Sequence, residues 1–92
     1  MAYNYEEMKP KLFTEENQKL FLNIRDRVHE LLSEAGVAKM GFIIDGLLGG
    51  SWEMMACVDR LAELGEIDEI HYGDCVAQDR IFVIKGWGNE RD

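Results

Sequence analysis

Between Thr14 and Gly36 the chain repeats apolar side chains at Leu20, Phe21, Ile24, Val28, Leu31, Leu32 and Ala35, in steps of 1, 3, 4, 3, 1 and 3. That spacing gathers them on one face of a helix and is incompatible with the period of two that a strand requires. Thr14 suits the N-cap, and Glu15 and Glu16 then lie favourably in the first turn. Gly36 supplies the left-handed residue that ends such a helix. The spacing therefore predicts a helix over about 14–35. Its apolar stripe has to be buried against the rest of the chain.

The rest of the chain offers shorter pieces. Residues 1–13, with Tyr3, Tyr5, Met8, Leu12, Phe13 and the only proline, sustain no period and read as an extended N-terminal arm whose aromatics pack on the core. Val37 to Met40 reads as a very short strand or a link. Gly41 to Leu48 reads as a short second helix, weakened by its two glycines. After Gly49-Gly50, Ser51 is expected to cap a third helix, with a buried stripe at Met54, Val58, Leu61 and Ala62. Gly65 stops it. Residues 66–72 and 80–85 read as two strands of a hairpin around a polar loop, and residues 86–92 as a C-terminal tail. The expected fold class is α+β: three helices followed by a two-stranded β-hairpin, as one domain over 14–85.

The chain has 92 residues, enough for one domain and one modest core, with little apolar area left to line a deep pocket. Its net charge is −8. Residues 51–85 hold eight acids and three bases, whereas residues 1–50 hold eight acids and six bases, so the negative excess sits in the second half. Nucleic-acid binding draws on cations that displace counterions from phosphates, so this balance disfavours it. It equally opposes adhesion to an anionic membrane. Two cysteines, Cys57 and Cys75, are too few for a disulfide framework. The polar, acidic first residues show no signal-peptide pattern, and no apolar run is long enough to span a membrane. Free thiols in the cytoplasm are the expectation.

The order helix, short helix, helix, hairpin resembles a winged-helix domain. Leu61-Ala-Glu-Leu-Gly-Glu-Ile67 resembles that family's passage from the third helix into the wing. Gly49-Gly50-Ser51 is similar to its turn and cap between helices two and three. The resemblance implies that helix three and the wing carry the binding surface, DNA-binding relatives laying that helix in the major groove. The implied contact residues are Ser51, Trp52, Glu53, Ala56, Cys57 and Arg60 on helix three, with Asp74 and Arg80 on the wing. Against the groove-reading pattern, this half of the chain carries a net −5. The expected function is thus a non-catalytic regulatory or adaptor domain that docks its acidic helix-three and wing face on a basic protein partner, with Trp52 as apolar anchor. The alternative is a DNA-binding transcriptional regulator working as a homodimer through Arg60 and Arg80.

No catalytic or cofactor motif stands against this. His71, Asp74 and Cys75 are close in sequence, but paired metal-ligand spacing is missing, and no metal site is expected. Cys57 has no histidine beside it in sequence, Ser51 is better used as a cap, and Gly46 to Gly50 lacks the lysine of a phosphate-binding loop. No enzyme activity and no cofactor are expected. Trp87, between two glycines, reads as satellite core or as a projecting contact, and Asp79-Arg80 as a charged strand end or as an exposed ion pair or contact.

Overall fold

A computed structural model describes residues 3–47, 50–70 and 77–85. His71, Asp74, Cys75 and the expected tail at 86–92 lie outside the described residues. The elements run α1 (Tyr5–Met8), a 3₁₀ turn (Lys9–Phe13), α2 (Glu15–Ala35), β1 (Val37–Lys39), α3 (Met40–Ile44), α4 (Ser51–Glu63), β2 (Ile67–Ile70), a second 3₁₀ turn (Ala77–Asp79) and β3 (Ile81–Ile84).

Helix α2 forms as its spacing predicts. Thr14 Oγ1 accepts the Asn17 N–H at 3.2 Å, and Gly36, at φ 78°, donates its N–H to the Leu32 carbonyl at 2.8 Å. Ile24, Val28 and Leu32 are buried along its stripe, with Leu20, Phe21 and Leu31 packed beside them. Helix α4 packs across α2 with Met54, Val58 and Leu61. Its cap differs from expectation. Gly50 is the N-cap, and Ser51 is the first helical residue, with no side-chain cap bond.

The short reading at Val37 proves to be a strand, so the sheet has three strands rather than the two of a hairpin. All pairs are antiparallel in the order β1-β3-β2, with Val37 opposite Val83, Ala38 opposite Phe82, and Ile81 between Lys39 and Ile70. Ala38, Ile67 and Phe82 turn inward onto the helices. Helix α3 is shorter than expected, starting at Met40 and ending at Ile44. Gly41 suits its place because an added Cβ would lie 3.2 Å from the Gln78 carbonyl oxygen.

Residues 3–13 depart most from expectation. They are helical from Tyr5 to Phe13 rather than extended, and Met8 (4% exposed) and Leu12 (2%) belong to the same core as Ile24 and Val58. Of their aromatics, Tyr3 and Tyr5 pack partly buried against that core, as expected, whereas Phe13 is 56% exposed.

Candidate interaction site

Helix α4 is buried on two sides. One side meets α2. The other is covered by the chain's own residues 3–13. Tyr3 donates its hydroxyl to Asp59 at 2.6 Å and sets its ring edge-on to Trp52, with centroids 6.5 Å apart. Tyr5 Oη donates to Glu63 at 2.8 Å, and Lys9 Nζ reaches the other oxygen of the same carboxylate at 2.9 Å. Burial first, and the bonded carboxylate second, push both phenols above their ordinary range, so each stays a donor.

This covering corrects the expected contact surface residue by residue. Ala56 and Cys57 are fully buried and present nothing to a partner. Trp52 is part-buried as satellite core, and Glu53 folds its carboxylate back against Gly50. The Arg60 guanidinium lies over Phe13 at 5.6 Å and donates to Glu63 at 2.7 Å. Only Ser51 of the helix-three set is fully exposed. Asp74 lies outside the described residues. Arg80 is not a free wing cation, nor is it paired with its neighbour Asp79. Its guanidinium bonds Asp59 at 2.6 and 3.1 Å and Glu69 at 2.7 and 2.8 Å, and so ties α4 to β2 through the start of β3. These side chains are only 19%, 11% and 17% exposed.

The charge segregation of the sequence is largely resolved inside the fold. Basic side chains of the first half meet acids of the second: Lys9 pairs with Glu63, and Arg25 and His29 both reach Glu66. Arg27 donates to the backbone carbonyls of Ile43 and Phe42. The acids counted as a docking face are thus largely engaged by the chain itself. Among the described residues no ion pair holds Lys11, Lys19 or Lys39.

Glu63 carries a prediction of its own. Hydrogen bonds from Lys9, Arg60 and Tyr5 lower its carboxyl from an ordinary 4.5 to about 2. A carboxylate depressed in the fold gives its full contribution above its unfolded pKa and loses it as pH falls through the folded one. Titration from pH 4.5 towards 2 is therefore expected to loosen the 3–9 segment before the core. Amide exchange at Tyr5 and Lys9 should accelerate ahead of that at Val28, and Glu63→Gln should abolish this separate step.

Burial, helped by the charge of Glu53, pushes the Cys57 thiol up to about 12, so almost no thiolate exists at neutral pH. No group of three or more His, Cys, Asp or Glu among the described residues is placed to hold a metal ion. A cavity of about 110 Å³ beside Leu12, Phe21 and Arg60 is small against the roughly 300 Å³ and above of ligand sites. No helix among the described residues is long and apolar enough to cross a membrane.

Exposed apolar side chains include Leu22 (54% exposed) and, beside that cavity, Phe13 (56%) and Leu64 (49%); a second group lies on the outer face of the sheet and at its β1 edge. Phe42 is 59% exposed, Val37 45% and Ile70 39%. Because Ala38 points inward, Val37 and Lys39 point out, and strand pairing places Ile81 and Ile70 on that same outer face. An open groove of about 370 Å³ runs between Val37, Ala38, Lys39, Phe42 and Ile81. Sequence reasoning missed this site. A five-residue helix is too short for its period to show that Phe42 faces out, and a three-residue strand carries too little alternation to show which of its faces is solvated.

No protein-family model, curated protein or solved structure matches this chain.

Proposed function

We propose that this chain is a small winged-helix domain without catalytic activity, working in the cytoplasm as an adaptor or regulatory domain that binds another protein. The order of its helices and the strands that follow supports the family reading, with β1 added to the hairpin. The observation that carries the function is the placement of exposed apolar surface. Val37, Phe42 and Ile70 are exposed on the sheet side, while the α4 face that a groove reader needs is covered by residues 3–13. Contiguous exposed apolar surface on a small domain marks interaction sites. The contact surface proposed is therefore the β1–α3 side and not the acidic α4 face.

Two measurements test this together. Mixed-sequence duplex DNA titrated at low salt is expected to leave the anisotropy of labelled DNA unchanged, because Arg60 and Arg80 are held by carboxylates. Affinity capture with the wild type is expected to retain proteins that Phe42→Ser does not, at unchanged thermal stability. DNA binding that weakens steeply with salt, or an identical captured set for both chains, would overturn the reading.

A further inference from the structure

The proposed docking side has a backbone feature that specifies how a partner is held. Met40 donates its N–H to the Arg80 carbonyl at 2.7 Å, while the Arg80 N–H turns to Ala77; extending the β1–β3 register, this is one of the two bonds of a hydrogen-bonded position. In an antiparallel ladder such pairs alternate, so Ala38 with Phe82 is the next. The N–H groups of Val37 and Lys39, and the Val37 carbonyl, therefore turn away from β3 to the open edge of the sheet. Ala38 is 7% exposed, with its side chain in the core, so what it adds to the groove is main chain. An apolar floor, a ladder edge whose polar groups take no bond among the described residues and a cation share one place.

We infer that β1 takes an extended segment of a partner protein as a fourth strand, and that this segment carries an apolar side chain in the Val37–Phe42–Ile81 groove and a carboxylate facing Lys39. This rests on the reading of the β1–α3 side as the docking surface. Main-chain bonds to an edge supply affinity, and pockets for alternate side chains supply specificity. The charge of the segment follows from Lys39, which no carboxylate holds among the described residues, whereas Lys9, Arg25, Arg60 and Arg80 are all in ion pairs. A lysine on an edge also repels basic strands. A second copy of this chain is a poorer occupant, because its own β1 brings another Lys39 and no carboxylate to the edge.

Lys39 also provides the test. Its φ of −82° lies close to the value proline imposes, and its N–H is not used by β3, so Lys39→Pro removes one outward donor and leaves the ladder. Ten-residue random peptides displayed on phage are selected against the full chain, and the enriched peptides are synthesised and titrated. Enriched sequences are expected to alternate apolar residues and to carry Asp or Glu. Lys39→Met removes only the ammonium; relative to it, Lys39→Pro is expected to weaken their binding a further roughly tenfold, the scale of one partner carbonyl left unbonded. Lys39→Glu should select against the acidic peptides, and Phe42→Ser should abolish binding. Independently of any variant, saturating peptide should slow amide exchange at Val37 and Lys39 in the wild type far more than at Ala38. Peptides lost with Phe42→Ser but bound equally by Lys39→Pro and Lys39→Met, with no slowing at Val37 and Lys39, would overturn strand addition and leave the docking surface standing. Failure of enrichment, or peptides indifferent to Phe42→Ser, would overturn both. A wild-type mass of two copies that Lys39→Pro returns to one would identify the occupant as the chain itself and overturn the proposal.

Discussion

Arg80→Met is expected to be the most damaging single substitution of a charged residue, costing about 3 kcal/mol, near the lower end of the range for breaking a buried ion pair. The lower end applies because the three side chains keep 11–19% exposure. Arg80 satisfies two carboxylates on different elements with four hydrogen bonds, and its ring-side carbon lies 5.3 Å from the Phe82 centroid. Methionine keeps much of the packing volume and removes all four donors, leaving Asp59 and Glu69 without the guanidinium that offsets their mutual repulsion. In a domain of this length each kcal/mol lowers Tm by roughly 4–8 °C, so a fall of roughly 12–24 °C is expected in thermal unfolding. Arg80→Lys should recover only part, since an ammonium cannot serve two carboxylates in the bidentate way of a guanidinium. Adding Asp59→Asn and Glu69→Gln to Arg80→Met should restore stability towards the wild type, because the penalty is mostly stranded charge. An Arg80→Met chain with unchanged Tm would mean that the cluster is solvated and carries no tertiary weight.

Such a cluster shows how far the sequence could be read. Helix α2 was legible because its period persists over five turns and both ends carry capping chemistry, Thr14 and Gly36. The core stripe of α4 was legible for the same reason. Its second face was not. Ala56 and Cys57 fall on the side expected to be exposed, and are buried because residues 3–13 return to cover α4. Nothing local to α4 encodes that return. The charge imbalance was read correctly as a pattern, but its cause lies inside the molecule. Lys9, Arg25 and His29 answer Glu63 and Glu66 across the fold, so the segregation reports tertiary pairing before it reports a partner. The docking side was hidden by brevity, since β1 has three residues and α3 five, and neither is long enough to reveal a period.

The same reasoning gives the sharpest expectation about residues 3–13. A dispensable arm could be trimmed with little effect on Tm. Instead, Leu12→Ala is expected to cost about 2–5 kcal/mol, as for other fully buried leucines, and Met8→Ala a comparable amount. Leu12 is 2% exposed and Met8 4%, and both sit in one cluster with Ile24, Val58 and Leu61, so truncation leaves cavities beneath α4. Removing residues 1–13 altogether would uncover Trp52, Ala56 and Cys57 and strip Tyr5 and Lys9 from Glu63 and Tyr3 from Asp59. A domain this small has a total stability on the order of 5–15 kcal/mol, and two such core losses consume much of it. The shortened chain is therefore expected to lose cooperative unfolding and bind a hydrophobic dye, while Leu12→Ala still unfolds cooperatively at lower denaturant. Denaturant titrations followed by tryptophan fluorescence distinguish the cases. Equal midpoints for the shortened and full chains would mean that α4 presents its second face to solvent without penalty, and would return that face to the set of available binding surfaces.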